Sequence, residues 1–117
     1  MRYFDLYTYI LKVISENPID DLDDLLQALL SDKKTINTVE VVEILQNLMT
    51  DGLVNGEVKK TKMGNIYIIN QVTTAGHQFL AETQNSEFRQ KLIRLIKDQG
   101  IPLTPTNVIK FVMNLIF

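Results

Sequence analysis

Apolar residues recur along much of this chain at spacings of three and four, the signature of helices with one buried face. Tyr3, Leu6, Tyr7, Ile10, Val13 and Ile14 predict a first helix over 4–16, stopped at Asn17-Pro18 because the residue before a proline is pushed out of the α region. Leu22, Leu25, Leu26, Leu29 and Leu30 predict a second over 21–32. Asp20 or Asp21 can cap it, and Asp23 and Asp24 stand in its first turn, where the helix dipole favours anions; Lys33 and Lys34 follow its other end. That explains the acidic cluster better than a calcium loop, whose ligands would not alternate with leucines. A third helix over 38–51 carries Val41, Ile44, Leu45, Leu48 and Met49 inward. Asn37 and Glu40 have the spacing of a capping box, and Gly52-Leu53 that of a left-handed helix end with its apolar follower.

The pattern then changes period. Leu53–Val58 and Ile66–Val72 read as two strands, with a basic tip between them and a turn at Gly64-Asn65. Helical spacing returns after Thr73, over 74–84, where Gly76 would let the helix approach its neighbours closely through Phe79 and Leu80. A fifth helix starts with Ser86 as its cap and runs to about Asp98. It turns Phe88, Leu92, Leu95 and Ile96 inward and carries a stripe of Lys91, Arg94 and Lys97. Gly100 and Pro102 end it. Thr104-Pro105 starts a last helix over 105–116 that is apolar nearly all round.

Three helices, a hairpin and a further helix is the order of a winged helix-turn-helix. The expected fold is therefore mainly α (α+β), with a two-stranded wing and extra C-terminal helices. Residues 1–84 would form the winged-helix domain, and 85–117 a helical extension packed on it or on a partner chain. The segment Val72-Thr73-Thr74-Ala75-Gly76-His77-Gln78-Phe79-Leu80 resembles the stretch after the wing in the YjcQ-like group of small uncharacterised winged-helix proteins from Gram-positive bacteria and their phages. The resemblance covers residues 4–98 and implies a fold and a superfamily; that group brings no established catalytic residue or cofactor.

Composition narrows the chemistry. The chain has 117 residues and no cysteine, so disulfides, thiolate metal sites and cysteine nucleophiles are excluded together. With a single histidine, His77, a multi-histidine metal site is excluded as well. His77 reads as a packing or polar surface residue. No phosphate loop, serine elbow or dinucleotide motif is present, so neither an enzyme, a cofactor nor a small-molecule substrate is expected. The apolar C-terminal stretch is too short to span a bilayer and no signal peptide is indicated, so the expectation is a cytoplasmic protein without membrane contact.

The net charge of −2 conceals an asymmetry: residues 1–57 hold four basic and eleven acidic groups, residues 58–117 eight basic and three acidic. Such a split serves either a basic face for an anionic partner or attraction between the two halves. The candidate nucleic-acid contacts are Lys33 and Lys34 before the third helix, Gln46 and Asn47 on it, and Lys59, Lys60 and Lys62 at the wing. Against DNA stands the third helix itself: the segment 37–51 has no Lys or Arg, and Glu40, Glu43 and Asp51 give it a net charge of −3. These residues point to a non-catalytic, DNA-binding accessory or regulatory protein; the alternative is a protein-interaction module that uses the same fold without DNA. The last helix exceeds what one face can bury, which predicts a homodimer through Val108, Phe111, Val112, Leu115 and Ile116.

Overall fold

The computed structural model describes residues 2–32, 37–101 and 104–117, without the side chains of 105 and 106. The elements are α1 (Arg2–Glu16), α2 (Leu22–Ser31), α3 (Thr38–Thr50), β1 (Val54–Thr61), β2 (Gly64–Val72), α4 (Thr74–Thr83), α5 (Ser86–Gln99) and α6 (Pro105–Ile116). This is the mostly helical architecture with an antiparallel wing after the third helix that the pattern predicts.

Most helix ends are set by the residues that sequence chemistry names. The Asp21 carboxylate accepts from Asp24 N–H at the start of α2, and Asn37 accepts from Val39 N–H at the start of α3. Thr73 receives Gly76 N–H in α4, and Thr104 receives Asn107 N–H in α6. Two details differ from expectation. Glu40 does not close a capping box with Asn37, because Arg2 of α1 takes both its oxygens at 2.9 Å. Asn85, not Ser86, caps α5: its side-chain oxygen accepts from both Glu87 and Phe88 N–H, which leaves Ser86 as the first helical residue.

α1 is the central element. Phe4, Tyr7, Ile10 and Leu11 are fully buried, and α2, α3, α4, α6 and β2 all pack against it. Tyr7 is the most constrained of these. Its ring meets Phe79 edge-on at 5.7 Å, and its hydroxyl donates to Asp51 at 2.6 Å. Asp51 ends α3. Past it, Gly52 N–H donates to Met49 and Leu53 N–H to Leu48, closing the helix with Gly52 at φ 78° as the spacing predicts.

The chain then enters the wing, whose ladder runs from Val54↔Val72 to Thr61↔Gly64. β1 continues three residues beyond the expected Val58, and the turn falls at Lys62-Met63, not at Gly64-Asn65. The ladder pairs backbone groups, so Lys59, Lys60 and Thr61 extend it although none of them is apolar. A bulge between Asn55 and Gly56 lets the wing's base close on α3: a Cβ at Gly56 would lie 2.8 Å from the Met49 methyl. On the other edge Ile69 N–H donates to Asp20 O at 2.8 Å, tying β2 to the segment before α2.

α4 returns along the wing's exit. Thr73 N–H and Oγ1 donate to Leu53 O and Gly52 O at 2.9 and 2.7 Å. Gly76 sits against the Leu53 carbonyl, where a Cβ would press into that oxygen and come within 2.6 Å of a Val72 methyl. Val108, Ile109 and Val112 of α6 join the same core, packed on α1 and α4.

Two outcomes follow from this packing. Alanine favours a helix over glycine by about 1 kcal/mol, but overpacking against a fixed carbonyl costs more. Gly76→Ala should therefore destabilise the fold by about 2 kcal/mol, read as a lowered urea midpoint by circular dichroism. The second concerns alkali. Burial first, and then Asp51, raises the Tyr7 hydroxyl far above the usual phenol range; burial and Asp32 push Tyr9 up to about 12. The folded chain keeps protons that the unfolded chain releases above pH ~10, so stability is full below that pH and falls as pH rises through about 12. The urea midpoint should be flat to pH ~9.5 and drop beyond it, and Tyr7→Phe should shallow that drop.

Candidate nucleic-acid interface

α3 turns Val41, Ile44, Leu45 and Leu48 into the core and so fixes what it presents outside. With 3.6 residues per turn, Val39, Glu43, Gln46 and Thr50 share an arc of about 60° on the opposite side. All four are exposed. Asn47 lies outside that arc: it is half-buried, and its amide donates to Tyr3 of α1 at 2.7 Å. Glu43 and Asn47 keep the neighbouring positions that their spacing of four predicts, but Asn47 is given a structural task on Tyr3.

The acidity of α3 is also redistributed. Arg2 grips Glu40 with two hydrogen bonds at 2.9 Å, which holds the Glu40 carboxyl below its usual range and raises the guanidinium. Asp51 accepts the Tyr7 hydroxyl. Glu43 alone makes no hydrogen bond or ion pair with a described residue.

The wing stands beside this helix. Directly paired residues share a face, so Val58 and Lys60 lie on one side with Tyr67 and Asn65. That side looks toward α3, because the Gln46 amide donates to the Tyr67 hydroxyl at 3.4 Å. Lys59 and Ile66 lie on the opposite side, where Lys59 Nζ is 3.8 Å from Glu57. Lys62 and Met63 form the tip. The three wing lysines are thus exposed as expected but point to two faces and an end. Lys33 and Lys34 lie outside the described residues. The exposed face of α3 and the Lys60 side of the wing together form the candidate site.

Sequence reasoning passed over three members of this surface. Val39 carried a signal: it is apolar, out of phase with the buried stripe, and 74% exposed. Arg2 and Tyr67 carried none, since their partners lie 38 and 21 residues away along the chain.

Elsewhere the structure offers less chemistry. His77 is exposed on α4. A cleft of about 490 Å³ between α1, α4 and α5 is lined by Tyr9, Lys12, Gln84 and an Arg89 already paired with Asp5. Among the described residues no group of three or more acidic or histidine side chains is placed to hold a metal ion, and no helix is long and apolar enough to cross a membrane. On α6, Val108 and Val112 are covered by their own chain, which removes them from the expected dimer surface; Phe111 and Ile116 are partly covered, and Leu115 is exposed together with Phe117.

No family model and no curated protein matches the chain. Solved structures do. A PadR-like transcription factor from Bacteroides fragilis superposes with a TM-score of 0.61 at 20% identity, over 84% of this chain and 92% of that one. A proposed transcriptional regulator from Thermoplasma acidophilum, TA0346, gives 0.56 at 19% identity, over 88% and 97%. At these identities the likeness is one of fold, and the fold is that of PadR-like winged helix-turn-helix proteins.

Proposed function

We propose that this chain is a non-catalytic, DNA-binding regulator of transcription that works in the cytoplasm as a homodimer. The observation that carries the reading is the pairing of an exposed, polar α3 face with a basic hairpin beside it, joined by Gln46 and Tyr67. In this class of fold a helix enters the major groove while flanking elements hold the backbone. α3 supplies no cation for phosphates, so that part falls to Lys59, Lys60 and Lys62. The fold shared with two proteins described as transcription regulators supports the same reading.

The dimer rests on the end of α6, where Leu115 and Phe117 are 39% and 58% exposed. Each large apolar side chain left in water forgoes roughly 1.5–3 kcal/mol of burial. A twofold contact covers both copies with one self-complementary patch.

Replacing Lys59, Lys60 and Lys62 together with alanine should weaken binding to all duplexes alike and flatten the salt dependence of log K by about 2 to 3, near 0.9 per lost phosphate contact. Fluorescence anisotropy across a salt series measures both. Unchanged affinity would remove the wing from the contact, and no binding at low salt by the native chain would favour a protein partner. Leu115→Ser with Phe117→Ser should give a monomer by sedimentation with its helical circular dichroism intact, since neither side chain belongs to the buried core.

A further inference from the structure

Three features of α3 remain unexplained by folding: an exposed valine, a carboxylate with no ion pair or hydrogen bond among the described residues, and an amide held from the side. Val39 is 74% exposed, and its branched side chain makes it a poor choice for a helix surface. Of the three carboxylates on the α3 segment, Glu40 is neutralised by Arg2 and Asp51 is engaged by Tyr7, which leaves Glu43 as the one exposed carboxylate without an ion pair or hydrogen bond among the described residues. Gln46 has one amide hydrogen toward Tyr67 at 3.4 Å, so its carbonyl and second N–H stay available.

We propose that Val39, Glu43 and Gln46 form a base-reading row in which Glu43 selects a cytosine. The inference rests on the DNA-binding reading above and goes beyond it by assigning the specificity. The three residues follow one another at i, i+4 and i+7 on one face and cover about 10.5 Å of helix axis, roughly three base-pair steps of 3.4 Å. Their chemistry is distinct at each position. A valine side chain suits a thymine methyl, a carboxylate can only accept and so suits the cytosine amino group, and the free half of the Gln46 amide matches the donor–acceptor pair of adenine. Tyr67 is a positioning residue: it touches the reading side chain, not the base.

A carboxylate on the reading face separates two behaviours. If Glu43 only repels phosphate, removing its charge helps every sequence equally. If it reads cytosine, removing its charge changes which sequence is preferred. The test uses the full chain, a pool of duplexes randomised over the site, and selection at low salt followed by anisotropy on the winners. The native chain should enrich a C·G pair at one position, and Glu43→Gln should exchange that preference for A·T, a shift of about tenfold in relative affinity. Tyr67→Phe should weaken the adenine preference alone, and replacing thymine by uracil at the adjoining position should lower affinity for the native chain but not for Val39→Ala. All three substitutions lie on exposed or half-exposed surface, and circular dichroism verifies their fold. A uniform gain in affinity for Glu43→Gln with the preferred sequence unchanged overturns the inference. Binding to the whole pool without preference overturns it too while leaving the DNA reading standing. Absence of binding by the native chain removes both.

Discussion

The structure depends on one buried hydroxyl. Tyr7 is completely enclosed, so its phenol must find an acceptor inside the protein or forfeit the desolvation cost of an unpaired polar group, about 1–3 kcal/mol. Asp51 provides it. That single bond anchors the end of α3 to α1, and a closed circuit of contacts grows from it. Asp51 leads to Gly52 and Leu53, whose carbonyls receive Thr73. The Leu53 carbonyl is also the surface against which Gly76 lies, and α4 then delivers Phe79 back onto the Tyr7 ring. α1, the end of α3, both ends of the wing and α4 are thereby positioned by one small set of atoms, and a change at any member is felt at the others.

This circuit determines what remains outside. The burial of Val41, Ile44, Leu45 and Leu48 fixes the rotation of α3 about its own axis; Tyr7 holds its far end, Arg2 meets it near its start, and Asn47 bonds Tyr3. The face left to solvent is the one bearing Val39, Glu43, Gln46 and Thr50. The same two anchors consume two of the three carboxylates on the segment. The acidity of the segment, read from composition, overstates the charge that a ligand would meet there.

The elements most legible in the sequence are those whose cause is local. Asp21, Asn37, Thr73 and Thr104 cap the helices they precede, since capping needs only a side-chain oxygen and an N–H two or three residues on. Gly52 and Leu53 likewise end α3 by bonds within six residues. What escaped the sequence is what distant partners decide. Glu40 had a plausible local role and lost it to Arg2, 38 residues away. Asn47 had a plausible ligand role and was taken by Tyr3. The reach of β1 was hidden because a wing tip solvated on both faces has no apolar alternation to mark it, while its backbone pairing continues. Val39 was legible in principle, as an apolar residue out of phase, but phase errors stand out only once the buried face is known.

On the proposed reading, affinity and discrimination come from different elements. The wing lysines attract any phosphate backbone, and with only three of them the gain without regard to sequence stays modest. The α3 face adds little attraction of its own, since Glu43 is repelled by phosphate wherever no amino group meets it. A carboxylate in that position therefore acts chiefly by penalty: it costs on every wrong sequence and is relieved on the right one. A protein of net charge −2 that bound through attraction alone would be weak everywhere. Joined to a partner copy, two such faces add their discrimination while the penalty on unrelated DNA doubles as well. Sparse cations and an acidic reading helix thus become compatible with selective binding, because selectivity depends on the difference between right and wrong sites and not on the strength of either.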